Sequence, residues 1–334
     1  MPRTGSPTVE MLWESCDSAE ALARRFGFAD GGTAQDWLST VVSEHWGIDV
    51  SACRRIVMSD HNALAWLTTS DGELVAKWSV ARGRFARLSE LADLTQWLAG
   101  RGSPVSALVP TLDGSSSLEG SGALLVLQRV IEGDPLDVAH PGQVAAAGAV
   151  LARLHDDLAR YPALDRLRRV SPTGGSLRER VTRWLDSEPP HVPAPLLATV
   201  RGLVSDAPTA PMPTQLLHGD FRAANVLCSG TDVLAVIDFD EATFDHPVTE
   251  LARSAVLLGT LFHDWGPVSA QVRTEFLAGY ESVRRLDAAE ARWWDALVGW
   301  YSLAMVPADP AHDTTGWLAA ARAHLETAAR GPAT

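Results

Sequence analysis

One stretch constrains this chain more than any other. It reads Leu217-His218-Gly219-Asp220-Phe221-Arg222-Ala223-Ala224-Asn225-Val226-Leu227, and it ends in Val233-Leu234-Ala235-Val236-Ile237-Asp238-Phe239-Asp240. The turn signal Ser229-Gly230-Thr231-Asp232 joins two apolar runs, so Leu216 to Asp240 forms an island of short strands. Helical patterns enclose it: Gln143 to Leu158, Leu177 to Leu185 and Ala194 to Val204 before, and everything from Val248 onward after. The spacing has a chemical meaning. A loop holds Asp220 where it can meet an acceptor hydroxyl, while the hairpin brings Asn225 and Asp238 together as oxygen ligands for a hard cation such as Mg²⁺. Magnesium keeps water and phosphate oxygens in its shell, so two protein ligands suffice.

The first third of the chain has a different pattern. A helix is expected from Val9 to Phe26, then the turn Asp30-Gly31-Gly32, then a helix capped by Thr33 and running through His45. Three strands follow, Arg54 to Met58, Ala63 to Thr68 and Glu73 to Trp78, the last two joined by Ser70-Asp71-Gly72. Leu88, Leu91, Leu94, Trp97 and Leu98 recur at helical spacing between Arg84 and Ala99, and Glu90 leans toward that apolar face. Ala123 to Val130 is an apolar strand that runs into the turn Glu132-Gly133-Asp134-Pro135, a candidate hinge. Strands with one helix, a hinge, then helices around a small strand island describe an α+β chain of two lobes.

Composition narrows the function. A length of 334 residues with 46% apolar content supports two lobes with cores of their own. The formal charge of −13 argues against a nucleic-acid partner, which needs a basic face. Three cysteines without metal-ligand spacing suggest reduced thiols, and the lack of a leader or a long apolar run suggests a cytoplasmic protein with no membrane partner. Of the 28 basic residues only one, Lys77, is lysine, and it ends the third strand. Where Arg serves for generic positive charge, a surviving Lys marks a place for a compact point charge.

His-Gly-Asp-Phe-Arg-Ala-Ala-Asn at 218–225 and Ile-Asp-Phe-Asp at 237–240 resemble the aminoglycoside phosphotransferase family, which shares the protein-kinase-like fold with choline, homoserine and methylthioribose kinases. The resemblance covers roughly Arg54 to Ala255. It implies a helical extension at 1–33, an N-lobe at 34–127 with an antiparallel sheet plus a helix, a hinge at 128–133, and a mostly helical C-lobe at 134–334. It further implies ATP and Mg²⁺, with Asp220 as the catalytic aspartate, His218 bracing its loop, and Asn225 and Asp238 on the metal. Arg222 would stabilise charge on the transferring phosphate, and Lys77 would hold phosphates with Glu90 as its partner. Ser59 and Asn62 are phosphate candidates in a turn that lacks the glycines such a loop normally carries. His155, at the end of a helix that resembles the family's Leu-His helix, reads as a packing or capping residue, and the segment Phe244 to Ala252, with Glu250 where the family has Asp, as support for the catalytic loop.

The acceptor half is less explicit. From Asp220 to the end there are 16 acidic residues against 8 Arg, together with Trp265, Trp293, Trp294, Trp300 and Trp317. Acids and aromatic faces suit a cationic amine or amino sugar, with Asp240, Glu241, Asp264 and Trp265 as pocket candidates. The expected activity is transfer of the ATP γ-phosphate to a hydroxyl of an amino sugar or aminoglycoside-type compound, by a monomer or homodimer. A metabolite kinase for choline, homoserine or a similar hydroxyl compound is the alternative. A non-catalytic nucleotide-binding protein is the alternative of another class, and the missing glycines are what favours it.

Overall fold

A computed structural model describes residues 5–171, 175–263, 265–309 and 313–330. The chain forms two compact units, one of residues 1–132 with 165–170, the other of residues 133–164 with 171–334.

The first unit is built on a sheet. Strands β1 (Thr8–Met11), β2 (Val50–Met58), β3 (Asn62–Thr69), β4 (Gly72–Ser79), β5 (Leu108–Val109), β6 (Leu118–Gly120) and β7 (Ala123–Arg129) take the order β1-β2-β3-β4-β7-β5, with β6 also on β7. Helix α1 (Ser18–Ala21) and α2 (Gly31–Trp46) lie between β1 and β2 in the chain, and α3 (Phe85–Gly100) follows β4. The three central strands fall where alternation and the Ser70-Asp71-Gly72 turn put them, because one face of each must bury against a core.

The start of the chain departs from expectation. No helix spans Val9 to Phe26: Thr8–Met11 is a strand, paired in parallel with Arg55–Met58, and the sheet is therefore mixed rather than wholly antiparallel. Only Ser18 to Phe26 is helical, as α1 and a wide π-type turn. The β-pairing on an open sheet edge outweighs a helical apolar spacing over so short a run. An aromatic cluster explains why this segment stays on the sheet. The ring of Trp78, on β4, meets Phe26 at 5.9 Å, Phe28 at 6.5 Å and Trp37 at 5.8 Å, all edge-on. Helix α2 starts two residues before the expected cap, since the Asp30 carboxylate accepts from Thr33 N–H at 2.8 Å.

In the second unit β8 (Asp134–Pro135) pairs antiparallel with Leu227 and Cys228, so the Asp134-Pro135 half of the turn signal is a strand edge. Helices α4 (Pro141–Ala159), α5 (Leu164–Val170), α6 (Leu177–Asp186) and α7 (Ala194–Asp206) come next, α5 belonging almost wholly to the first unit. The island then resolves into β9 (Gln215–Leu217), β10 (Val226–Ser229), β11 (Asp232–Val236) and β12 (Thr243–Asp245). Helices α8 (Pro247–Leu257), α9 (Ala270–Glu281), α10 (Ala288–Ala304) and α11 (Trp317–Ala328) complete it. One part of its core is a cluster shared by α6, α7, α8, α10 and α11, with Trp293 and Trp317 buried in it. Helices α4 and α9 touch backbone to backbone. A β-carbon on Gly148 would overlap the Phe276 carbonyl, and one on Gly279 would overlap that of Ala145.

Candidate active site

Strand β9 delivers the chain into the loop that carries Asp220. Gly219 has a φ of 87°, and a β-carbon there would overlap the carbonyl oxygen of Glu241, so the turn is open only to glycine. Beneath the loop lies Glu250 of α8, 5% exposed. Its carboxylate accepts from His218 N–H at 3.1 Å, from Gly219 N–H, and from His155 Nε2 at 2.8 Å. Burial pushes the Glu250 carboxyl upward, but the hydrogen bonds it accepts from His155 and from the Gly219 amide prevail and hold it below the usual carboxylate range. With Glu250 ionised, His155 donates from Nε2 and its Nδ1 accepts from the Tyr280 hydroxyl at 2.8 Å, which in turn accepts from Arg284 at 2.9 Å.

The two nitrogens of His218 are assigned by their partners. A backbone N–H must donate and a carbonyl must accept, so Nδ1 accepts from Asp220 N–H at 3.2 Å and Nε2 donates to Ile237 O at 3.0 Å. The ring thus ties the Asp220 loop to the strand end that precedes Asp238. That is the bracing expected of it.

Asp220 itself is over-determined. Its Oδ2 accepts from Arg222 Nε at 2.9 Å and from the Asn225 amide at 2.9 Å; its Oδ1 accepts from Arg253 at 3.3 Å. The Asn225 amide also donates to the Asp220 carbonyl at 2.8 Å, and Arg253 reaches the Gly219 carbonyl. Arg222 is not a solvated side chain. It is 7% exposed and spends Nη1 on the carbonyls of Thr260 and Leu261, at 3.4 and 3.3 Å.

The hairpin sets Ile237 against Asn225, the Ile237 N–H donating to the Asn225 carbonyl at 2.9 Å, and Asp238 is the next residue along. The Asn225 amide nitrogen is engaged by Asp220, so its side-chain oxygen is the group left for a cation. Asp238 is exposed and sits at φ 65°, ψ 74°, a left-handed conformation that costs an L residue about 1 kcal/mol and commonly marks a functional position. An amide oxygen and a carboxylate are hard donors and fit Mg²⁺. Asp240, half-buried, and Glu241, exposed, follow in a single turn whose backbone packs on Gly219. Trp265 is 40% exposed with its ring 5.4 Å from the Arg222 guanidinium, whereas Asp264 lies outside the described residues.

The nucleotide candidates lie in the first unit. Lys77 is on β4, in register with Leu64 of β3 and Val126 of β7. Glu90, on α3, is bonded by Arg166 of α5 at 2.7 Å, and Arg166 also reaches Asp93 at 3.2 Å. The second Glu90 oxygen is buried with no hydrogen-bond partner among the described residues. Ser59 and Asn62 close a tight turn between β2 and β3. Ser59 N–H donates to Asn62 O at 2.8 Å, its hydroxyl to the same oxygen at 3.3 Å, and Arg25 to Ser59 O at 3.2 Å.

The model of the phosphotransferase enzyme family matches residues 55–294. The chain belongs to that family. Among curated relatives, a homoserine kinase of Methylobacillus flagellatus is 29% identical over 63% of this chain and 64% of its own length, so the match spans less than two thirds of that relative. Among solved structures, a macrolide 2'-phosphotransferase from Brachybacterium faecium superposes with a TM-score of 0.58 at 17% identity, over 90% of this chain and 98% of the other. An amicoumacin kinase in complex with AMP-PNP, Ca²⁺ and its antibiotic gives 0.59 at 16% identity, over 88% and 93%. At those identities the structures establish the kinase-like fold.

The sequence reading missed three partners of the site. Arg253 is one turn along α8 from Glu250, a spacing that could have flagged it as facing the same loop. Tyr280 and Phe262 carry no sequence signal. Both come to the loop only because α9 crosses α4 closely and because the chain after α8 turns back over Arg222.

Proposed function

We propose that this protein is a small-molecule kinase that uses ATP and Mg²⁺ to phosphorylate a hydroxyl, the acceptor being an amino sugar or aminoglycoside-type compound. The observation that carries the reading is Asp220: a carboxylate held from three sides by Arg222, Asn225 and Arg253 on a loop only glycine can turn. A carboxylate so fixed orients the acceptor hydroxyl and takes its proton as the oxygen attacks phosphorus. Arg222 and Arg253 keep Asp220 aimed, and this role replaces direct contact of Arg222 with the phosphate. Asn225 and Asp238 would hold Mg²⁺, which when bound neutralises charge on the phosphate oxygens. Lys77, with Glu90 as its partner, would secure the nucleotide phosphates, and Ser59 and Asn62 would meet them from the turn between β2 and β3. Most of the rate gain comes from positioning and charge stabilisation.

A second reading, transfer to homoserine or a similar small hydroxyl compound, is supported by the homoserine kinases among the relatives. ADP release from ATP and Mg²⁺ over aminoglycosides, glucosamine, choline, L-homoserine and methylthioribose separates the two. Turnover should fall roughly 10³-fold in Asp220→Asn. Turnover that survives this substitution, or its absence with every hydroxyl compound tried, would remove the kinase reading.

A further inference from the structure

Two large aromatic side chains stand exposed beside Asp220, Phe262 at 38% and Trp265 at 40%. They are not loose. The Arg222 guanidinium lies 6.0 Å from the Phe262 ring centre and 5.4 Å from that of Trp265, within cation–π range of both. That guanidinium is itself fixed, by Asp220 through Nε and by the Thr260 and Leu261 carbonyls through Nη1. A buried, immobile cation therefore orients two rings that remain open to a ligand. Both oxygens of Asp220 are already paired, one with Arg222 and the other with Arg253, and a neutral apolar ring can stack on the exposed aromatic surface.

We infer that Phe262 and Trp265 form an acceptor platform that receives an uncharged, apolar ring face next to the reacting hydroxyl. The inference rests on the reading of Asp220 as the carboxylate that meets the acceptor. It refines the acceptor class to an amino-sugar compound that also carries an apolar ring face. A compact zwitterion such as homoserine has nothing to lay on these rings.

The test uses the full chain with Mg²⁺ and AMP-PNP, and three probes: erythromycin, an amphipathic macrolide; kanamycin, a polycation without an apolar face; and L-homoserine. Titration calorimetry should show erythromycin bound most tightly. Trp265→Ala and Phe262→Ala should each weaken it roughly tenfold, and Trp265→Tyr should restore most of the loss. With ATP, the KM for the macrolide should rise by the same factor while the KM for ATP stays within about twofold. Failure of erythromycin to bind overturns the platform. So does binding unchanged in the alanine variants, or preference for kanamycin or homoserine that survives them. Macrolide binding that depends on the rings without ADP release would uphold the platform and sink the phosphotransfer reading instead.

Discussion

The two loops proposed for the chemistry are built in opposite ways. The Asp220 loop of the second unit rests on buried polar groups: Glu250 below it, His155 and Tyr280 behind, His218 across to Ile237, and Asn225 with two arginines on the carboxylate. The Ser59–Asn62 turn of the first unit rests on backbone closure and one arginine from the chain's first helical segment, and its tip, Asp60 and His61, is exposed. Buried hydrogen bonds to charged groups each outweigh those at a wet surface, and leaving one partner alone is costly. A proton acceptor must sit within a fraction of an ångström of its target, whereas a turn that covers a flexible triphosphate tolerates adjustment. The contrast shows where this fold demands a rigid frame.

Substitutions can break or sharpen that contrast. Gly219→Ala should have the largest effect, because it forces an alanine to φ 87° and into the Glu241 carbonyl. A loss of roughly 3 kcal/mol or more is expected in chemical denaturation, together with loss of turnover. Glu250→Gln should cost about 2–3 kcal/mol, since the buried His155 and two loop amides lose their charged acceptor. Its pH signature has a definite sign. The carboxyl is held below its ordinary 4.5, so its contribution is complete above that pH and disappears as pH falls through the lowered value. The acid limb of the wild-type stability curve should accordingly flatten in Glu250→Gln, and an unchanged limb would show that the pair does not stabilise the loop. Ser59→Ala should do least to the fold, at most about 1 kcal/mol, because only a 3.3 Å hydroxyl bond disappears from a turn the backbone already closes. If Ser59 meets phosphate, the KM for ATP should still rise roughly fivefold, a split between stability and affinity the Asp220 loop cannot show.

Much of this was legible before any coordinates. The strands β2, β3, β4 and β7, helices α3, α4, α6 and α7, and the hairpin carrying Asn225 and Asp238 all fall at or near their sequence-based bounds, because apolar periodicity and turn residues act locally. The segment holding Glu250 was legible as support for the loop through the order of the motif, whereas His155 read only as a packing or capping residue, and their hydrogen bond across 95 residues was not legible. The short parallel strand Thr8–Met11 was illegible, since its partner is an edge 47 residues away in register and nothing local distinguishes it from a helical turn.

By itself, the sequence determined the kinds of atoms available at the site: a lone lysine on a strand, an Asp–Asn–Asp series on a loop and hairpin, and a glycine where the turn must be left-handed. Those are consequences of covalent spacing and local backbone preference. Only the tertiary structure decided what surrounds them. It turned Arg222 inward onto Asp220, set Arg253 on the other oxygen, and left Phe262 and Trp265 open over the guanidinium. Long-range packing settles such neighbours, because burial and electrostatic pairing between distant segments carry more energy than any local propensity along the chain.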